Sequence, residues 1–302
     1  MITVNNKKWN KLKDEEKISY CDGLLENAEK DRRKLTWDWY LDKQFIDGNH
    51  YTFYNAATNT IETPPRRRDS VRLVINKVNS SIRSIKNYIS SFRPKWEVLP
   101  TNINEESIDN ARKSGKLLDY LYDRLNIKRK IRLLVDFSLW TSVGLWEIGW
   151  DENERGGEGE VFVMNHDPFD VYFPFSAYLD GPIIHSPFVG KVLQRDVNVL
   201  KNDERFDEKA RKKIKADGQV SLSEMKKRIR VKQGQKMDQK SENTALLREV
   251  LLWDASGNEE GGKIQRVTYV NDNLLRDEEL KYEEYPVYIF QPEMSDTIYT
   301  TP

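Results

Sequence analysis

Residues 37–55 read WDWYLDKQFIDGNHYTFYN, and residues 64–100 read PPRRRDSVRLVINKVNSSIRSIKNYISSFRPKWEVLP. Neither piece holds a catalytic signature. Their order is an aromatic helix, a Gly-Asn turn, an arginine-led loop, a long apolar seam, and a strand entered through Arg93-Pro94-Lys95-Trp96. The seam is Val71, Val74/Ile75, Val78, Ile82, Ile85, Ile89 and Phe92, at steps of three and four. That spacing predicts one face of a helix. Asp69 or Ser70 can cap its start, because a short oxygen-bearing side chain satisfies free backbone N–H groups. Pro94 stops it. Such a helix is about 35 Å long. Burying its seam would contribute on the order of 12–24 kcal/mol before ordering entropy is subtracted.

Upstream, residues 14–47 read as a helix, with Ile18, Leu24, Leu25, Ala28, Leu35, Trp39 and Phe45 toward one side. Asp47-Gly48-Asn49 ends it. His50 to Ala56 reads as a short strand or aromatic loop, and 57–69 as a loop. Trp37, Trp39, Tyr40 and Phe45 form an aromatic cluster expected to pack against the long helix.

Downstream, Trp96 to Leu99 reads as a strand. Glu105 to Leu125 and Ile127 to Ser142 read as helices, the second ended by Gly144. The texture then turns to strands: Leu145–Trp150 and Gly159–Val163 around a hairpin loop, then Val171–Phe173, Phe188–Gln194, Leu246–Trp253, Lys263–Val270 and Tyr285–Phe290. Asp196 caps a short helix between them. The fold class is α+β: a helical N-terminal half with one long helix, then a β-rich mixed half, without the alternation of a doubly wound sheet. The boundary falls between 1–143 and 144–302.

Lys plus Arg and Asp plus Glu both count 49 in 302 residues. A dedicated DNA binder carries a basic excess, since phosphate neutralisation dominates its affinity. The balance is global and not local. Residues 201–240 hold fourteen basic and seven acidic side chains; residues 271–302 hold two and eight. The first segment is expected to be a mobile insertion. Both patches read first as solvated faces, and in an oligomer they could meet across a subunit boundary. A single cysteine, Cys21, excludes an internal disulfide and suits a reducing compartment. No stretch reaches the roughly 18 apolar residues of a membrane span.

Candidate chemistry is sparse. His50, His166 and His185 show no metal-ligand spacing. Asp167 and Asp170 flank Pro168-Phe169 and read as a turn, although paired carboxylates can hold a metal. Gly156-Gly157-Glu158-Gly159 lacks the Lys-Ser/Thr of a phosphate loop. Lys226-Lys227-Arg228, Arg230 and Lys232 read as a solvated basic face. Arg66, Arg67 and Arg68 form the one loop whose charge suggests a partner, either a DNA backbone or an acidic patch on a neighbouring subunit. No catalytic, cofactor-binding or metal residue is assigned, and no cofactor is expected.

The segments at 37–54, 72–100, 105–142, 144–150, 165–172 and 285–290, in that order, resemble the N-terminal part of tailed-bacteriophage portal proteins of the short-tailed-phage type. The order carries the likeness, not any one motif. The resemblance implies a non-enzymatic virion component made in the host cytoplasm: a subunit of a homo-oligomeric ring, of twelve copies at full length, at the capsid vertex. It implies double-stranded DNA passing through without sequence preference. The implied partners are further copies of itself, major capsid and scaffolding proteins, the terminase large subunit and tail adaptors, with no membrane. The chain would supply the wing portion; nothing in it resembles the stem, clip or crown. Two rival readings stand beside it. One is a head–tail connector or adaptor. The other is a metal-dependent nuclease, for which Asp167, Asp170 and Lys191 are the candidate residues.

Overall fold

The computed structural model describes residues 9–58, 60–69, 71–174, 186–216, 243–254 and 263–292. His185, the basic run 226–232 and most of the charged segment 201–240 lie outside them. The described part is α+β, with helices concentrated in the first half and strands in the second.

Helix α1 spans Asp14–Ile46, 33 residues, with Asp14, Glu15 and Glu16 in its first turn. Carboxylates there complement the free N–H groups and the positive end of the helix dipole. Its buried stripe is Ile18, Cys21, Leu25, Ala28, Arg32, Thr36 and Trp39/Tyr40. These recur every three or four residues, as a helix buried on one side requires. The stripe includes polar members, so apolar residues alone outline only part of it.

The β1 (Phe53–Asn55) and β2 (Thr60–Glu62) strands form a small hairpin where only a loop is expected after 57. The long seam then divides. Residues 71–76 lie outside any helix or strand, and helix α2 covers only Lys77–Ser91. The helix is therefore about 22 Å long, not 35 Å. Asn76 is its cap: Oδ1 accepts from Asn79 N–H, while Nδ2 donates to the Ile46 carbonyl at 2.8 Å. Asn79 donates to the same carbonyl at 3.1 Å. The helix start is thus pinned to the end of α1, a long-range contact that local capping chemistry does not reveal. The branched Val71, Val74 and Ile75 before it favour extended backbone. Ser70 lies outside the described residues, and Asp69 precedes the helix by eight positions. No residue of α2 is fully buried, so the burial energy expected of its seam is not realised within one chain.

Trp96–Leu99 forms no strand. Helices α3 (Glu105–Arg124) and α4 (Ile127–Thr141) follow closely the spans read from sequence. Ser142, at φ 58, ends α4 in the left-handed region. Gly144 instead opens β3, where an added Cβ would lie 2.8 Å from the Leu134 carbonyl oxygen.

Strands β3 (Gly144–Asp151), β4 (Glu160–His166) and β10 (Val287–Phe290) make an antiparallel sheet of order β10-β3-β4. Strands β5 (Val171–Tyr172), β6 (Phe188–Asp196), β7 (Thr244–Asp254), β8 (Lys263–Val270) and β9 (Asn273–Leu280) make a second, in sequential order. Strand β9 is absent from the sequence reading. Its NLLRDEEL has few branched or aromatic residues, and neighbouring β8 recruits it. Short helices α5 (Val197–Asn202), capped by Asp196, and α6 (Glu208–Lys213) follow β6.

The layers run helix, sheet, sheet, helix. The first part of α1 packs Ile18, Cys21, Leu25 and Ala28 on Val250, Leu252 and Val267 of the larger sheet. That sheet's other face sets Val189, Leu251 and Ile264 against Leu145 and Val287 of the smaller one. The smaller sheet's outer face carries α3 and α4 through Tyr122, Ile127, Val163 and Trp146. Alternation along β7 explains the sandwich: even positions 250 and 252 face α1, and odd position 251 faces the second sheet. The aromatic cluster Trp37, Trp39 and Tyr40 packs on Trp140 of α4 and Phe169, not on the α2 seam.

Candidate functional site

Two constellations stand out, one inside the sandwich and one on its surface. The interior one lies between the sheets. Glu147 on β3, His166 at the end of β4 and Lys191 on β6 are buried. Glu147 accepts from Lys191 Nζ at 2.7 Å and lies 2.6 Å from His166 Nε2. Lys191 also pairs with Glu249 of β7 at 2.6 Å. Register dictates this meeting. Lys191 sits directly opposite Glu249 and two residues from Val189, so its side chain enters the inter-sheet layer. Burial alone would push the Glu147 carboxyl up; Lys191 and then His166 outweigh it and hold the group low, at about 2. For Lys191, burial opposes the charge, while Glu249 and Glu147 restore it and raise the ammonium above its ordinary value.

That geometry bears on the nuclease candidates. Lys191 is held by Glu147 and Glu249. Asp167 instead closes a turn, its carboxylate accepting from Phe169 N–H at 3.0 Å and its carbonyl from Asp170 N–H at 2.8 Å. Among the described residues no group of His, Cys, Asp or Glu is placed to hold a metal. The Asp167–Asp170 turn has another partner, which sequence reasoning missed. Arg32 of α1 is buried and donates to the carbonyls of Pro168 at 2.8 Å, Phe169 at 3.0 Å, and Val171. Its guanidinium lies over the Tyr172 ring, 4.3 Å from the centroid. Arg32 thus fixes the loop between the two sheets onto α1. The one sequence signal was its place on the buried stripe, between Ala28 and Thr36.

The surface constellation is built from the loop after β2, the run 71–76 and α2. Arg66, Arg67 and Arg68 are exposed on that loop. Arg72 anchors the loop from behind: it donates to the Pro64 carbonyl and to that of Pro65 at 3.2 Å, and lies over the Tyr51 ring. Tyr51 in turn donates to the Leu73 carbonyl at 3.3 Å. So the arginine triplet sits on a tethered loop. Beyond it the run is apolar and open to solvent: Val71 is 84%, Leu73 73% and Ile75 66% exposed. The opening continues on α2 with Val78, Ile85 and Tyr88, and past it with Phe92. The other side of α2 is held to α4 by a Lys86–Asp136 ion pair. Arg93 closes its end, pairing with Asp123 at 3.1 Å and covering the Tyr122 ring. The helix is therefore fixed in place while its apolar seam faces outward.

His50 is a loop histidine, its Nε2 3.0 Å from the Phe45 carbonyl and its ring stacked on Phe45. No helix among the described residues is long and apolar enough to cross a membrane.

A family-model match supports a portal-type structural protein of phages. Residues 38–182, from the aromatic cluster through β5, match the family model described as phage P22-like portal protein. The match is consistent with the N-terminal portion of a portal protein, as the order of the segments suggests. No curated protein matches the chain.

Proposed function

We propose that this chain is the wing portion of a portal subunit, part of the ring at the capsid vertex through which double-stranded DNA is packaged and ejected. The family match over residues 38–182 carries the reading. The family is a structural one, and the outward apolar seam of α2 agrees with a subunit that needs neighbours. In this reading residues 1–143 supply the helical part of the wing and 144–302 the β-rich part. Twelve copies form the ring, the arginine triplet Arg66–Arg68 reaches an acidic patch on the next subunit or the DNA backbone, and the terminase, capsid, scaffolding and tail proteins dock elsewhere on it. Zero net charge suits this role, because DNA must pass without sticking.

The test is to delete the gene from the phage that encodes it and to image the purified protein by electron microscopy. Ring particles with a central channel, together with heads empty of DNA in the deletion, are the expected result. Filled, infectious heads from the deletion phage would end the portal reading. Magnesium-dependent cleavage of plasmid DNA that chelation stops would favour the nuclease instead.

A further inference from the structure

Residues 71–76, VRLVIN, form no helix and pair with no strand of their own chain among the described residues, and Val71, Leu73 and Ile75 are more exposed than Val74 between them. Their internal backbone bonds are few: the Leu73 carbonyl accepts from Tyr51, and the Ile75 carbonyl from Lys77 N–H. A branched, apolar run with alternate side chains exposed and few internal backbone bonds has the pattern of a strand without a sheet. Elsewhere among the described residues is a sheet edge without a strand. Strand β10 ends the order β10-β3-β4, and its Tyr288 and Phe290 are exposed. The other edges are guarded. Strand β9 presents Arg276, Asp277, Glu278 and Glu279 in a row, and charges deter strand addition. On β4 the Val163 carbonyl already accepts from Lys130, and Glu160 is held by Arg124. Strand β5 has only two residues.

We propose that residues 71–76 add as a strand to the β10 edge of a second copy of this chain, and that the open face of α2 is covered in the same contact. Area supports a stable interface. The exposed apolar side chains from Val71 to Phe92 amount to on the order of 800 Å², which is what one partner contributes to a standard interface and more than a typical monomer leaves open. A second copy fits because donor and acceptor are different surfaces of one chain. Such a head-to-tail contact repeats from copy to copy, and closes into a ring when the rotation allows. The closure rests on the portal reading; the pairing does not.

The test uses the whole chain and four substitutions at three exposed positions. Leu73→Pro removes an N–H donor and Ile85→Asp charges the open face, while neither touches the core. Wild type should run by light scattering as an assembly of several copies. Each variant should run as a monomer with unchanged circular dichroism and melting temperature. Leu73→Cys combined with Tyr288→Cys should give, on oxidation, a ladder of cross-linked multiples; Cys21 is buried and does not compete. A monomeric wild type, variants that assemble as wild type does, or no ladder would each overturn the proposal. Rings that persist in both assembly variants would overturn it while leaving the portal reading intact.

Discussion

Lys191 shows how much depends on one buried cation. It lies between Glu147 and Glu249 in the layer where the two sheets meet. Lys191→Met would leave the buried Glu147 and the half-buried Glu249 without their shared cation. Removing one member of a buried pair costs about 3–5 kcal/mol, so a large drop in the urea midpoint is expected. The same cluster sets an acid limit. The Glu147 carboxyl is held at about 2, below its ordinary 4.5. Its contribution is therefore complete above about pH 5 and is lost as pH falls toward 2. Urea midpoints measured from pH 6 to 3 should fall for wild type and fall less for Glu147→Gln. Equal slopes would show that Glu147 is not the titrating group. None of this was legible beforehand. A lone Glu in LWEIGW and a lone Lys in FVGKVLQ look like exposed strand positions, and only the register puts them inside.

Among the elements, α1 was read most fully and α2 least. The α1 stripe has helical period whether or not its members are apolar, so its span was plain. Arg32 on that stripe forks onto the carbonyls of Pro168, Phe169 and Val171. Arg32→Lys keeps the charge and loses the fork. A loss of about 1.5–3 kcal/mol is expected, read from the melting temperature. Gly144 makes a sharper case. Its place beside the Leu134 carbonyl leaves no room for a Cβ, so Gly144→Ala should destabilise by about 1–3 kcal/mol through a forced backbone shift. An unchanged melting curve would show that the α4–β3 junction gives way freely. The α2 seam was overread because the same spacing continues back into a branched run that lies outside the helix. Periodicity marks which residues share a face; it does not say where the helix begins or what covers that face.

For the whole molecule, the decisive property is what one chain leaves open. Interiors fill both sides of the larger sheet and the outer side of the smaller one, yet apolar side chains spread from Val71 to Phe92 stay exposed. Association should therefore depend on burial of those side chains more than on charge. The arginine triplet tests the balance. Replacing Arg66, Arg67 and Arg68 together with Ala should weaken assembly or DNA packaging, and the loss should resemble that caused by raised salt, since exposed charges are screened. Unchanged assembly and packaging would remove the triplet from the mechanism, while Ile85→Asp should still abolish association.

Sequence alone determined the α+β order, the spans of α1, α3 and α4, most strands and the portal-like succession of segments, because periodicity, caps and turns are local. The β9 strand, the split of the 71–92 seam, the Glu147–Lys191–Glu249 cluster and the Arg32 clasp were decided only by tertiary structure. Each depends on a partner far away in the chain: β8 for the strand, Ile46 for the α2 start, a facing sheet for the charges and a loop carbonyl fork for the arginine. Such partners meet only when the layers close, and no local pattern of residue types records which surfaces will face each other.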